Sequence, residues 1–127
     1  MKTLQNYIEA AQTKLFNDTG AFFAFSNKQF DEGKKEGVKY ASLGAGLICP
    51  TDKAQMLVDG LESIHKSGIA QDIAENGIDK IIARELANYE AFYTYEIDDT
   101  VDALEDYGIT REQVQAVFKR IANTIEG

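Results

Sequence analysis

The chain has 127 residues and a formal net charge of −8, with 44% hydrophobic residues, one proline and one cysteine. This composition is typical of a globular protein and the length suits one core, so we expect a single domain over residues 1–127. One cysteine excludes an internal disulfide and fits a reducing compartment, and no apolar run approaches the ~20 residues that span a bilayer, so we expect a cytoplasmic protein.

The N-terminal part of the sequence predicts a helix, a buried strand and a corner that leads into a second helix. Leu4 to Phe16 carries apolar residues at helical spacing, whereas AFFAF at residues 21–25 is too short and too aromatic for a helix. Ser26 can cap the next helix, and Gln29 can reach back to its amide. Local chemistry alone therefore specifies this corner.

Residues 38–49, VKYASLGAGLIC, combine β-branched and aromatic residues with central glycines. We interpret them as two short strands or one bent strand, paired with residues 21–25. The segment Gly44-Ala45-Gly46 completes no phosphate-binding loop motif, so a bulge or a tight bend is the preferred interpretation. Pro50 then opens a helix that has Gly68 near its end and is followed by another turn or two.

The second half of the sequence predicts helices only. Residues 78–97 form the longest helical pattern, a shorter acidic helix runs to Tyr107, and Gly108 ends it. Thr110 and Gln113 form a second capping box, which starts the last helix. The apolar positions of that helix give it an inner face made of Val114, Val117, Phe118, Ile121 and Ile125.

These elements define the expected fold class. A small antiparallel sheet, built from about residues 21–25 and 38–49, should pack under four to six helices. No internal repeat, linker or low-complexity tract interrupts the chain. We therefore predict a helix-dominated α+β domain.

A helical projection of residues 78–97 shows a core stripe that contains carboxylates. Glu85 and Glu96 fall in the same arc as the apolar residues, where a buried carboxylate costs several kcal/mol unless it is paired. Glu85 is therefore the best candidate for an unusual pKa, and with Tyr89 it forms the reserve catalytic pair. The alternative to a functional role is that Glu85 makes a structural hydrogen bond, which ties this helix to the sheet. The opposite, outward face comprises Lys80, Arg84, Ala87, Asn88, Ala91 and Tyr95.

Beyond Ile97 the carboxylates become a surface feature. Residues 72–106 contain eleven acidic and two basic residues, whereas residues 1–71 contain eight of each. Such a surface repels nucleic acid and anionic membranes and attracts basic proteins. We interpret it either as a solvated face or as a docking face for a basic groove, including mimicry of nucleic acid. The predicted partner-binding residues are Asp98, Asp99, Asp102, Glu105 and Asp106.

Other chemistries have weaker signals. Cys49 and His65 are the only residues of their kinds, and the cysteine lies in an apolar run, where it usually behaves as a small hydrophobe. A calcium loop would need a ligand and a glycine at positions that Thr100 and Ala103 occupy. We therefore expect no metal and no cofactor, with a weak divalent-ion site at the acidic residues as the alternative.

Four sequence segments, taken in order, show a family resemblance: FFAFSNKQF, SLGAGLICP, ELANYEAFYTYEI and YGITREQV. Together they resemble a family of small proteins that bacteriophages and mobile elements encode and that have no assigned function. The resemblance covers Phe22 to about Phe118. It implies expression in a bacterial cytoplasm by an invading element, and it transfers no functional residue.

Three hypotheses follow. The leading hypothesis is a non-enzymatic module that binds a basic protein. The partner would be a host protein that handles nucleic acid or acts in defence, and the module would inhibit or modulate it. The second is an enzyme or small-ligand protein with a semi-buried pocket around Glu85 and Tyr89, joined by Glu96 or Tyr93. The third is a homo-oligomer that associates through an exposed face at Tyr95 and Ala91.

Overall fold

The computed structural model describes residues 1–126, which form seven α-helices, two 3-10 turns and three β-strands. The fold is a helix-dominated α+β fold, as predicted. The helices and strands are α1 Leu4–Thr19, β1 Phe22–Phe23, α2 Asn27–Gly33, β2 Tyr40–Ser42, β3 Leu47–Pro50, α3 Ala54–Asn76, α4 Ile78–Asn88, α5 Ala91–Thr94, α6 Asp98–Ala103 and α7 Arg111–Glu126. The 3-10 turns are Thr51–Lys53 and Glu105–Tyr107.

The chain divides into two compact units, Met1–Gly68 and the residues from Ile69 onward. In the first unit the strands form an antiparallel sheet in the order β1-β3-β2, so the predicted pairing of the two strand regions is confirmed. The predicted corner is also present, because the amide of Gln29 donates to Ser26 Oγ across 3.2 Å. The Gln29 side chain accepts from the amide of Phe25 rather than from that of Ser26.

The predicted end of a helix near Gly68 is wrong, since α3 continues without a break from Ala54 to Asn76. Gly68 lies where Ile8 of α1 approaches the helix, and a Cβ at this position would overlap the Ile8 side chain. Gly60 accommodates Leu15 in the same way, one methyl carbon lying 2.7 Å from the position of an added Cβ. The two glycines therefore provide space for α1 and do not stop α3.

The second unit has a continuous apolar core to which α4, α6 and α7 contribute, with Ile82, Leu86 and Leu104 among its buried members. The second capping box is confirmed, because Thr110 N donates to Gln113 Oε1 across 2.7 Å. The predicted inner face of α7 is confirmed for its first four residues, which are buried or half-buried. Its last predicted member is 68% exposed and lies outside the core: Ile125.

The predicted single helix over residues 78–97 is wrong. It breaks after Asn88, and the chain turns through Glu90 and Tyr95, whose φ angles of 57° and 58° are left-handed. The turn brings Ala91, which a straight helix would have placed on the outward face, into the buried core. Burial in the core therefore decided the path of this segment against its local helical pattern.

None of the helices in residues 1–126 combines the length and the apolar character needed to cross a bilayer.

Candidate functional site

The five predicted partner-binding carboxylates lie on α6 and on the 3-10 turn that follows it. All five are exposed, while Thr100 and Leu104 of the same segment are buried. The two buried residues are four positions apart, which is the spacing of a helix that packs one side on a core and exposes the other side to solvent. The segment therefore presents carboxylates outward from a fixed frame. These residues are Asp98, Asp99, Asp102, Glu105 and Asp106.

One ion pair orients the start of this segment. Arg111 Nη2 of α7 lies 2.6 Å from Asp98 Oδ1, with both side chains about half exposed. Arg111 lowers the pKa of the Asp98 carboxyl below its usual range, with Glu96 contributing in the same direction. Glu96 also accepts a hydrogen bond from the Asp98 amide at 3.3 Å. The carboxylate is thus held in its charged form at neutral pH.

Exposed tyrosines precede the carboxylates. The Tyr93 side chain is 87% exposed, and that of Tyr95 is also exposed while its ring packs edge-on against Phe118 at 6.2 Å. Phe118 in turn stacks on Phe92 at 5.4 Å. We call these two tyrosines and the five carboxylates the acidic-aromatic face, which extends over residues 93–106.

A buried ionic cluster anchors the far end of the same segment. Asp72 is fully buried and accepts two hydrogen bonds from Arg84, each 2.9 Å long. Asn76 donates to it across 2.7 Å, and the Tyr107 hydroxyl donates across 2.5 Å. Because Tyr107 ends the 3-10 turn that carries Glu105, this cluster fixes the acidic segment to the core.

The pKa values of the cluster follow from these contacts. Burial disfavours the charged form of Asp72, but the hydrogen bonds from Arg84, Tyr107 and Asn76 outweigh burial and lower the pKa of its carboxyl. Burial likewise opposes the charge of Arg84, yet Asp72 and Glu85 raise its pKa. Burial and the Asp72 carboxylate raise the pKa of the Tyr107 phenol. The cluster therefore holds a charged Asp72, a charged Arg84 and a neutral Tyr107 at pH 7.

The burial of Asp72 was not predicted from the sequence, and the predicted position of Arg84 is wrong. Arg84 was expected on the outward face, but its side chain is only 10% exposed because it turns toward Asp72. A detectable signal was present, since Asp72 and Asn76 are four residues apart and side chains at this spacing bond to each other when one helix carries both. The partner of Glu85 is the same arginine, whose Nε donates to Glu85 Oε1 across 2.8 Å.

The reserve catalytic residues lie in different environments. Glu85 is paired with Arg84, whereas the Tyr89 side chain is 41% exposed. Glu96, which was predicted in the core arc, is exposed because the chain turns at residue 90, and so is Tyr93. The arrangement is that of a structural ion pair beside solvated tyrosines.

The lone thiol is buried in the first unit. Burial raises the pKa of Cys49, the nearby Asp52 raises it further, and a hydrogen bond with Thr19 acts in the opposite direction. A neutral, inaccessible thiol suits the small hydrophobe that the sequence indicated. Within residues 1–126 no group of three or more histidine, cysteine or acidic side chains is placed to hold a metal ion.

A protein-family model matches residues 4–126 of the chain. The chain belongs to DUF7659, a family of unknown function. The match includes both the acidic-aromatic face and the buried ionic cluster, so the expected membership of a family without an assigned function is confirmed. The comparisons with curated proteins and with solved structures found no match.

Proposed function

We propose that the protein is a binding module that docks a basic protein on the acidic-aromatic face. One observation carries this proposal: five exposed carboxylates lie on a short segment held by buried residues, at Thr100 and Leu104, and by the Tyr107 contact to Asp72. A surface used only for solubility needs no fixed geometry. A docking face benefits from a fixed geometry, because a preorganised surface loses less side-chain and backbone freedom on binding than a mobile surface does.

The two kinds of side chain on this face have complementary roles. The carboxylates accelerate encounter with a basic partner and select its orientation, whereas exposed charge by itself adds little affinity. Tyr93 and Tyr95 supply rigid contact area, since tyrosine buries a large ring and orders only two side-chain torsions. We expect tyrosine substitutions to act on the dissociation rate and carboxylate substitutions to act on the association rate.

The proposed class of partner follows from the negative charge of the acidic-aromatic face and from the resemblance to bacteriophage proteins. Proteins that bind DNA or RNA carry basic grooves, and an array of carboxylates can occupy such a groove in place of phosphates. The resemblance to bacteriophage and mobile-element proteins makes a host protein of nucleic-acid handling or defence the proposed target. The protein would then act in a bacterial cytoplasm as its inhibitor or modulator.

Capture from a bacterial lysate over a salt series tests the proposal. The test variant replaces five carboxylates by amides: Asp98→Asn, Asp99→Asn, Asp102→Asn, Glu105→Gln and Asp106→Asn. We expect it to lose a basic partner that the unmodified protein retains at low salt and releases as salt rises. The control makes the same charge change on exposed acids of the first unit: Glu9→Gln, Asp31→Asn, Glu32→Gln, Glu36→Gln and Asp59→Asn.

The control variant should retain the partner with nearly the same salt dependence. Equal capture by the test variant and the unmodified protein at every salt concentration would overturn the proposal. Loss of capture in both variants would show a response to net charge alone and would also count against a specific face.

One of the two residues predicted to form a homo-oligomer interface is not accessible. Ala91 is buried, and Tyr95 packs against Phe118 of the same chain. Self-association through this face stays a prediction that light scattering at high protein concentration can test.

A further inference from the structure

A pocket of about 700 Å³ opens in the first unit, where the end of α1 meets the loop after α2 and the junction of β3 with α3. Its walls include three lysines, Lys35, Lys39 and Lys53, and Tyr40. Pockets of roughly 300–1,000 Å³ are the usual size for small organic ligands. This pocket lies outside the acidic-aromatic face and was not anticipated from the sequence.

The charges around the pocket are unbalanced. Across residues 1–126 the arginines and several lysines are in salt bridges with carboxylates, but the three pocket lysines have no carboxylate within 4 Å. Two acids, Asp18 and Asp52, also line the walls. Asp18 is already paired with Lys14 at 2.7 Å, so Asp52 is the acid of the lining that remains to balance the three lysines. The pocket is therefore locally positive in a protein with a net charge of −8.

The backbone adds to this positive character. The 3-10 turn Thr51–Lys53 leads directly into α3, a helix of 23 residues, and all three residues of the turn line the pocket. The start of a helix carries a partial positive charge that favours anions. Lysine ammonium groups suit phosphate in particular, because they act as compact point charges with several donors.

We propose that this pocket binds an organic phosphate of about mononucleotide size. The three lysines hold the phosphate, and Asp52 and Asn17 accept hydrogen bonds from hydroxyl or amino groups of the ligand. The apolar atoms of Tyr40, Val38 and Pro50 contact its ring or carbon skeleton. The volume exceeds what an inorganic phosphate fills, so the organic part contributes to affinity.

Isothermal titration calorimetry on the full chain at low salt tests this inference with four probes: AMP, ribose 5-phosphate, inorganic phosphate and adenosine. We expect AMP and ribose 5-phosphate to bind more tightly than inorganic phosphate, and adenosine to bind at least tenfold more weakly than AMP. The affinity for AMP should fall by about tenfold for each of Lys39→Ala and Lys53→Ala, because each removes a charge-assisted contact. Raising the salt concentration should weaken the binding of all three probes that carry a phosphate.

The matched controls are Lys80→Ala and Lys119→Ala, which remove the same charge from exposed lysines of the second unit. They should leave the affinity for AMP within twofold of the unmodified protein. The proposal is overturned if AMP and ribose 5-phosphate do not bind at millimolar concentration, or if inorganic phosphate binds as tightly as they do. Equal losses in the control and pocket variants would overturn it as well. All four variants should keep the thermal midpoint of the unmodified protein, since they alter exposed side chains only.

Discussion

The Tyr107 hydroxyl donates a hydrogen bond of 2.5 Å to the fully buried carboxylate of Asp72, 35 positions earlier in the chain. This bond joins the end of the exposed acidic segment to a buried charge of the second unit. Arg84 completes the arrangement with two parallel hydrogen bonds to the same carboxylate. A surface that is proposed to bind a partner is thus supported by an ionic cluster whose central carboxylate, that of Asp72, is fully buried.

Removing Arg84 should destabilise the protein strongly. Arg84→Met leaves Asp72 buried without its counter-ion, and we expect the free energy of unfolding to fall by about 3–5 kcal/mol. Arg120→Met is the control, because Arg120 makes an exposed ion pair with Asp79 at 3.6 Å and should cost less than about 1 kcal/mol. Urea denaturation measures both values. Equal, small losses would show that the buried pair contributes little.

A double variant tests whether the two charges act as a unit. Asp72→Leu combined with Arg84→Met removes both charges together, so its loss of stability should be smaller than the sum of the single losses by at least about 1 kcal/mol. Additive losses would contradict the coupling.

The lowered pKa of Asp72 predicts a loss of stability in acid. The unfolded chain titrates near the ordinary value of 3.8, and the folded carboxyl titrates below it. The unfolded state therefore binds more protons as the pH falls through this window. The stabilisation is present in full above the unfolded pKa and is lost as the pH falls through the folded pKa. Carboxyl NMR titration of Asp72 measures the folded value directly, and a midpoint at or above 3.8 would refute the prediction.

The raised pKa of Tyr107 predicts the opposite behaviour in alkali. The phenol of the unfolded chain titrates near 10.0, whereas the folded phenol keeps its proton to higher pH. Its contribution is present in full below about pH 10 and is lost as the pH rises through the folded pKa. Tyr107→Phe should cost about 1.5–3 kcal/mol at pH 7, since it removes a hydrogen bond to a charged acceptor.

Urea denaturation from pH 8 to 11 checks this prediction. The stability gap between the unmodified protein and Tyr107→Phe should shrink above pH 10. Tyr93→Phe removes an exposed phenol and is the control, with a small gap expected throughout. A gap for Tyr107→Phe that stays constant with pH would argue against the proton linkage.

Gly68→Ala should destabilise the first unit, although alanine is the better helix former by about 1 kcal/mol at an ordinary helical site. The added methyl group would overlap Ile8 of α1, and such overpacking typically costs about 1–3 kcal/mol. In an Ile8→Ala background, Gly68→Ala should reduce the stability by less than it does when Ile8 is present. Thermal unfolding of the four proteins in this cycle provides the measurement, and a more stable single Gly68→Ala variant would refute the proposed contact.

The left-handed backbone at Glu90 predicts a difference between two amides. Glu90→Asn and Glu90→Gln remove the same charge, but asparagine tolerates a φ of 57° better than glutamine does. We expect the asparagine variant to be more stable by a few tenths to about 1 kcal/mol in urea denaturation. Equal stabilities would mean that the turn after α4 carries no conformational cost at this residue.

Much of the local structure was determined by the sequence itself. The cap at Ser26, the capping box at Thr110, the strand pairing near the N-terminus and the exposure of the acidic segment were predicted correctly. The caps depend on residues three positions apart, and the exposure of the acidic segment depends on charges that stay in water, so a single sequence is enough to predict both. The strand pairing joins Phe22 to Ile48, and it was predictable because both segments have a β-forming composition.

Only the tertiary structure decided the path of α3 through Gly68, the turn at Glu90 and the inward position of Arg84. Each depends on a side chain that is distant in sequence: Ile8 occupies the space above Gly68, the shared core takes in Ala91, and Asp72 lies 12 positions before Arg84. A helical projection assumes a continuous helix, and it also treats a charged side chain as solvated. The core overrode both assumptions, because burying Ala91 outweighed a left-handed turn and because a buried carboxylate requires a counter-ion.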